Sequence, residues 1–330
     1  MTIRVRVHYP LGAGRLVLRT DADWERDIEP VDTGPSGSEF DFTLHSNEPF
    51  VYFKPVIRDS GGERWSAGEN YLALAGGRQP REVYPYFDTD ERCSACELRE
   101  LDHRYRVFYP PGYHENILKR YPVLYMHDAQ NLFFPNEAFQ GHHWRVPETL
   151  GLLDAMNLVD KVIVVGIYPN QREVDYTKPG YEGYGRFIAE TLKPEIDREF
   201  RTLTGAESTA VMGSSLGGVV SFYMAWQWPE MFGLAACMSS TFGFRDDLAA
   251  RVESEPRRAI RIYLDSGWPR DNYEATRDMR ARLQRKGYRD GSDLFYLGFP
   301  EALHNESSWA MRCHVPFQLF FGRPSPARRA

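Results

Sequence analysis

Three residues of this 330-residue chain could together break an acyl bond: a serine set among glycines, a late histidine, and an aspartate between them. Gly213-Ser214-Ser215-Leu216-Gly217 has the form Gly-x-Ser-x-Gly. Apolar Ala210-Val211-Met212 leads in with strand character, and Leu216-Gly217-Gly218-Val219-Val220 leads out as the start of a helix. A sharp strand-to-helix turn strains its central residue, and flanking glycines let the backbone fold back tightly. Ser215 would then stand at a helix N-terminus, where the dipole favours developing negative charge. Ser214, at the first x of the pattern, is the weaker candidate.

A serine hydroxyl is too weak an acid to attack a carbonyl without a base. In this kind of turn the partners follow in the order serine, acid, histidine. Of nine histidines only His304 and His314 follow Ser215. His314, beside Cys313 and Val315, reads as a packed helix residue, whereas His304 lies in the loop 298–306 before the last helix, so His304 is the expected base. The acid should follow the strand that ends Ile262-Tyr263-Leu264. Asp271, on the loop tip, is favoured; Asp265, still on the strand end where an aspartate more often braces the next loop, is the runner-up. The acid would orient the imidazole and stabilise its cation. Two backbone N–H groups must receive the oxyanion: that of Leu216, after the nucleophile, and one from the loop His127–Phe133, for which Gln130 is the choice. His127 ends a buried strand and reads as a brace for that loop. None of this calls for a metal or an organic cofactor.

Aromatic residues fall in the loops near these positions: Phe133, Phe134, Phe139, Trp144 and Trp268. They fit either a pocket for an aryl or sugar ester or a hydrophobic lid. With Asp128, Asn131 and Trp309, which flank the motifs, Phe133, Trp144 and Trp268 are the expected substrate contacts. The stretches 131–145 and 169–184 are long, polar-aromatic insertions that could line the pocket.

The elements that must hold these residues divide in two. Residues 3–9, 15–19, 39–44 and 50–57 alternate or run apolar over strand lengths, punctuated by Gly12-Ala13-Gly14 and Ser60-Gly61-Gly62. They suggest a small all-β sandwich over residues 1–80, with 81–100 as a linker. Residues 101–330 then alternate strands (105–109, 121–127, 161–167, 208–212, 234–238, 259–264, 294–297) with helices (187–200, from 216, 274–286, 307–321). That alternation predicts a mostly parallel sheet covered by helices, with ligands gathered at the carboxyl ends of its strands.

Composition excludes several classes. Lys and Arg number 40 against 46 Asp and Glu, a net charge of −6 without a long basic run, which argues against a nucleic-acid partner. No run of about 18 apolar residues exists to span a membrane, and the alternating N-terminus has no apolar signal core, so a cytoplasmic protein is expected. Cys93 and Cys96 form a Cys-x-x-Cys without a second ligand pair, a poor zinc or redox motif; Cys237 and Cys313 sit in apolar stretches and are expected in the core. Aromatics reach 14%, which composition alone assigns neither to core nor to ligand.

Tyr125-Met126-His127-Asp128-Ala129-Gln130-Asn131-Leu132-Phe133, Gly213-Ser214-Ser215-Leu216-Gly217-Gly218 and His304-Asn305-Glu306-Ser307-Ser308-Trp309 together resemble the putative-esterase group of α/β hydrolases, over residues 101–322. That group includes esterase D, feruloyl, acetyl-xylan and enterochelin esterases and the mycolyltransferases. The resemblance implies an α/β-hydrolase fold and a serine esterase working through Ser215, His304 and Asp271, on an aryl, acetyl or sugar-linked ester as a small molecule or on a glycan. Acyl transfer to an alcohol, cleavage of a siderophore lactone, and glycan binding without catalysis are the alternatives. Where the group usually has glycine this chain has Ala129, which puts the shape of the oxyanion loop in question. The N-terminal part resembles the immunoglobulin-like modules that precede enterochelin esterases and, more loosely, carbohydrate-binding modules. Trp24 and Trp65 could there form a sugar-stacking platform or fill the sandwich core, which is favoured; the module could also lie over the active site.

Overall fold

The computed structural model describes residues 1–89, 94–95 and 98–322. Cys93 and Cys96 lie outside the described residues. The first part is two sheets. One has the order β4-β5-β1-β9, from β1 (Thr2–His8), β4 (Asp32–Thr33), β5 (Glu39–His45) and β9 (Arg81–Val83). The other has the order β3-β2-β6-β7, from β2 (Arg15–Thr20), β3 (Asp23–Ile28), β6 (Phe50–Asp59) and β7 (Gly62–Trp65), with β8 (Tyr71–Leu74) also on β6. Ile3, Val5, Val7, Phe40, Phe42 and Leu44 from the first sheet meet Leu16, Leu18, Val51, Phe53 and Ile57 from the second in one core.

Trp24 and Trp65 are not part of that core, contrary to the expectation. Successive side chains of a strand point to opposite faces, so Leu16 and Leu18 face inward while Val17 and Arg19 face out. Trp65 pairs across the sheet with Val56, which itself pairs with Val17, and so lies on the outer face. There the two indoles stand 6.4 Å apart, with the Arg19 guanidinium 5.0 Å over the Trp65 ring and paired to Asp27 and Glu63.

Among the described residues, nine further strands form a third sheet. Short β10 (Ser94–Ala95) and β11 (Arg99–Glu100) pair with β12 (Arg104–Tyr109), which is antiparallel to β14. From there the order is β14 (Ile163–Ile167), β13 (Val123–His127), β15 (Thr209–Ser214), β16 (Leu234–Met238), β17 (Arg261–Trp268) and β18 (Leu294–Pro300), all parallel. Strands β13 to β16 are buried at every residue, as strands covered on both faces must be. Their side chains alternate between two cores. Val123, Tyr125, Val165 and Val211 pack on one face; Leu124, Met126, Val164 and Met212 pack on the other.

The first face is covered by α3 (Gly180–Phe187), α4 (Lys193–Glu199), α5 (Leu216–Gln227), α6 (Leu248–Ser254) and α7 (Tyr273–Arg285), with short α2 (Arg172–Asp175) packed on α3; the second by α1 (Val146–Ala155), α8 (Glu306–Arg312) and α9 (His314–Phe321). The helix expected over 187–200 begins earlier, at Gly180, behind glycines at 180, 183 and 185 that mask it in the sequence. It also widens over Ile188–Leu192, immediately before Pro194, whose missing N–H cannot continue the regular ladder. The closing helix expected over 307–321 is two helices meeting at Cys313. Cys237 and Cys313 are free and buried. Among the described residues no helix is long and apolar enough to cross a membrane.

The N-terminal sheets rest on loops that lead into β13 and β14. Buried Asn116 donates to the carbonyls of His8 (2.9 Å) and Pro85 (2.8 Å), Tyr9 OH donates to Glu115 (2.7 Å), and Glu69 N–H donates to Ala155 O (2.7 Å). A cavity of about 370 Å³ opens between the two parts, lined by Gly68, Tyr84, Tyr86, Lys119, Lys161 and Ser208. These contacts lie at the amino ends of the parallel strands. The idea that the module covers the expected active site is thereby corrected, because Ser215, Asp271 and His304 all follow carboxyl ends.

Candidate active site

The buried strand β15 stops at Ser214 and α5 starts at Leu216, so Ser215 must reverse the chain alone. Its backbone sits at φ 56°, ψ −121°, a conformation that side chains with a Cβ resist. Neighbours hold it there. Ser215 N–H donates to Met238 O (2.9 Å), and its carbonyl accepts from Thr241 N–H (3.3 Å). A Cβ on Gly213 would lie 2.6 Å from the Gly217 carbonyl, and one on Gly218 would lie 2.0 Å from Ser240 Oγ. A Cβ on Gly217, the second glycine of the motif, would meet nothing nearer than 3.4 Å. The tight turn therefore needs Gly213 and Gly218.

His304, four residues past β18, reaches back across the sheet. Its Nε2 lies 2.9 Å from Ser215 Oγ and its Nδ1 lies 2.6 Å from Asp271 Oδ1. A carboxylate oxygen only accepts, so Nδ1 carries the proton and Nε2 faces the serine hydroxyl as acceptor. The imidazole packs edge-on against Trp309 at 4.9 Å. Asp271 occupies the tip of the β17–α7 loop at φ 66°. Its Oδ2 accepts from Gly267 N–H (2.7 Å), Ser239 Oγ (2.6 Å) and Arg312 Nη2 (3.2 Å). Burial pushes the Asp271 carboxyl up, but the hydrogen bonds from His304, Ser239 and Gly267, with the charge of Arg312, prevail and hold it below the usual carboxylate range. Asp265, the runner-up, is completely buried on β17 and points at Tyr263, Ser239 and Arg312 instead of the imidazole.

The loop after β13 turns at Asp128, which takes the left-handed conformation (φ 59°, ψ 50°) and precedes a short 3₁₀ turn, Ala129–Asn131. The positive φ thus falls on Asp128 and not on Ala129, which answers the doubt raised by the missing glycine. Among the described hydrogen bonds none takes the backbone N–H of Gln130 or Leu216, so both stay open to a ligand. Asp128 is fixed by a two-pronged ion pair with Arg172 (2.8 and 2.9 Å), and its N–H donates to Tyr176 OH (3.1 Å). His127 is a brace. Its Nδ1 meets Tyr184 OH at 2.8 Å, and burial, with Arg172 nearby, lowers its pKa to about 3 and keeps the ring neutral.

Residues 99–311 match the model of the family described as "Putative esterase". The chain belongs to this esterase family. It is a carboxylic-ester hydrolase with an α/β-hydrolase-like fold. Over 138 residues it is 28% identical to the ferri-bacillibactin esterase BesA of Bacillus subtilis (strain 168), covering 34% of this chain and 45% of that one. Among solved structures it is similar to a ferulic acid esterase (16% identity, TM-score 0.59, 70% of this chain and 98% of that chain). It is also similar to the enterobactin esterase FES of Shigella flexneri (15% identity, TM-score 0.57), where the match covers 97% of this chain and 92% of that chain.

Two expected substrate contacts of this esterase are corrected. Phe133 is buried, stacked on Phe108 at 4.4 Å in space that Gly166 leaves open, and Trp144 is buried against Trp309 at 5.9 Å. Both are core residues, because the two ends of the 131–145 stretch meet, Trp144 N–H on Asn131 O, and fold inward. Asn131 is also buried and donates to Glu306 (3.2 Å), which ties the loop after β13 to the first turn of α8. Trp309 packs under the imidazole and donates to Ser239 Oγ (3.0 Å). Of the five aromatics expected near the site, Trp268, half exposed at the end of β17, and Phe139, more exposed still, are the ones that face solvent. The tyrosines of the 169–184 stretch, Tyr176, Tyr181 and Tyr184, are buried.

Ser239, Arg172 and Arg312 were missed. Arg312 had a signal: the one Lys or Arg of the closing stretch 307–321, three residues after Trp309 and so on the same helix face. Ser239 and Arg172 had none, since each acts through a contact between loops far apart in sequence.

Proposed function

We propose that Ser215, His304 and Asp271 carry out the hydrolysis through an acyl-enzyme. The observation that carries this reading is the single imidazole hydrogen-bonded to Asp271 at 2.6 Å and to Ser215 at 2.9 Å. His304 removes the hydroxyl proton as Ser215 Oγ attacks the ester carbonyl, and Asp271 steadies the imidazolium. The oxyanion forms against the N–H groups of Leu216 and Gln130; donors of this kind contribute about 3–4 kcal/mol each to lowering the barrier. His304 then protonates the leaving alcohol, and a water activated by the same imidazole releases the acid.

The substrate we propose is a small-molecule ester bearing an aromatic ring. The similar esterases are named for ferulic acid, enterobactin and ferri-bacillibactin, and exposed Trp268 offers a ring surface beside the Asp271 loop. Residues 1–80 are read as an immunoglobulin-like module, 81–100 as a linker and 101–330 as the hydrolase domain. The full-length likeness to the enterobactin esterase supports that division. Ser215→Ala should abolish hydrolysis of p-nitrophenyl acetate, and the unchanged protein should show a burst of p-nitrophenol equal to its active sites. Undiminished hydrolysis in Ser215→Ala would sink the reading.

A further inference from the structure

Behind Asp271 lies a second carboxylate that hydrolysis by three residues does not require. Asp265 is completely buried, and every group that touches its oxygens is a donor: Tyr263 OH (2.9 Å), Arg312 Nε (3.2 Å) and Ser239 N–H (3.3 Å). Burial raises its pKa on balance, while the charge of Arg312 and the three donors oppose that rise; with a guanidinium at 3.2 Å and only donors on its oxygens, the geometry is that of a carboxylate. Arg312 is equally buried and forks between the two acids, with Nε on Asp265 and Nη2 on Asp271 and on Ser239 Oγ. Its plane lies 5.3 Å over the Phe299 ring, which closes the site from the β18 side.

The charges in this cluster are what matter. A guanidinium bonded to Asp271 fixes its outer oxygen but also draws its negative charge away from the imidazole. With Asp265 ionised the two carboxylates and one guanidinium sum to a single negative charge, and the imidazolium formed during catalysis cancels it. We propose that Asp265, acting through Arg312, is a positioning residue of this site: it offsets the cation that clamps Asp271, so that the charge of Asp271 remains available to His304. The inference rests on the reading of Ser215, His304 and Asp271 given above.

Other titratable groups leave this balance alone. Tyr263 and Cys237 are kept protonated by burial, as is Cys313 at about 12. On the open side, Glu306 is engaged by Asn131, and Asp128 by Arg172. The Ser239 backbone, at φ 44° and fully buried, presents its hydroxyl to Asp271, Trp309 and Arg312 at once.

The test is the acid limb of kcat/KM against pH for p-nitrophenyl acetate at fixed ionic strength, since that limb follows protonation of the base. Removing one charge roughly 8–9 Å from the imidazole, at an effective dielectric of about 20, moves such a limb by about 1.4 units. Asp265→Asn should shift it about 1.4 units to lower pH, and Asp265→Asn with Arg312→Met should return it close to its original place. A role confined to packing would lower kcat or stability and leave the limb where it is. If Asp265→Asn does not fold, the double variant is compared with Arg312→Met alone, where the single variant should stand about 1.4 units higher. Coincident limbs in whichever pair folds overturn the inference, and do so without touching the assignment of Ser215. Retained hydrolysis in Ser215→Ala would overturn both.

Discussion

Replacing Ser215 by glycine should abolish hydrolysis and at the same time make the folded protein more stable than replacing it by alanine. Both variants lose the hydroxyl and its contact with His304, so the difference between them isolates the backbone. At φ 56°, ψ −121° a residue with a Cβ is strained by about 1–3 kcal/mol, and glycine is not. Against this, glycine gives the unfolded chain extra freedom, at a cost of about 0.5–1 kcal/mol. The hydrogen bonds of the turn, from Ser215 N–H to Met238 O and from Thr241 N–H to Ser215 O, use main-chain atoms and survive in both variants. Ser215→Gly should therefore exceed Ser215→Ala by about 1 kcal/mol. Unfolding entropy of about 2.1 cal/mol/K per residue makes that about 1–2 °C in Tm for a chain of 330 residues. Urea titration followed by the fluorescence of the tryptophans, one of which (Trp226) is buried on α5, gives the same comparison with less dependence on reversibility. A glycine variant no more stable than the alanine variant would refute the claim that the turn stores strain at Ser215.

Four other outcomes follow from the contacts. Asp271→Asn leaves the shape intact but offers His304 the wrong hydrogen-bond partner, so kcat should fall by about 10³–10⁴-fold; a loss under tenfold counts against Asp271 as the acid. The same carboxyl is held below its usual range in the folded state, so it stabilises the protein above its unfolded pKa of about 3.9 and loses that contribution as pH falls through its folded value. Acid unfolding of Asp271→Asn should accordingly depend less on pH below about 4. Gly218→Ala forces a Cβ against Ser240 Oγ and should cost about 1–3 kcal/mol; adding Ser240→Ala, which removes a hydroxyl that has no partner, should recover much of it in a denaturation cycle. Asn116→Ala leaves the carbonyls of His8 and Pro85 without their donor at the junction of the two parts and should destabilise by about 1–3 kcal/mol, read by urea unfolding.

The parallel strands were legible because burial on both faces demands unbroken apolar runs. Ile163–Ile167 and Leu234–Met238 have little else to be. The serine turn was legible because its strain requires glycine at Gly213, a requirement written in the sequence itself. What escaped were pairings that depend on two loops meeting. Trp144 and Phe133 look like pocket residues by type and position, yet the stretch that carries them doubles back, with Trp144 N–H on Asn131 O at 2.7 Å, and buries both rings. Trp65 looks like core by type, and only its register opposite Val56 puts it outside. Neither fact is periodic, so hydrophobic spacing could not report it.

The geometry of the sheet explains why Gly267 belongs with the candidate active site although its side chain does nothing. Strands β15, β16, β17 and β18 are consecutive neighbours, and each contributes one member of the cluster from its carboxyl end: Ser215, Ser239, Asp271 and His304. Neighbouring strands lie about 4.8 Å apart, so a residue after β18 starts about 14 Å from one after β15, far beyond a hydrogen bond. The His304 loop must therefore lie down across the ends of β17 and β16. It can do so only where nothing stands up from β17: a Cβ on Gly267 would fall 2.0 Å from Ala302 O and 3.0 Å from Asp271 Cβ. The same glycine's N–H donates to Asp271 Oδ2 at 2.7 Å, so the bare backbone that admits the histidine loop also orients the aspartate toward it. One missing side chain thus sets both distances on which the imidazole depends.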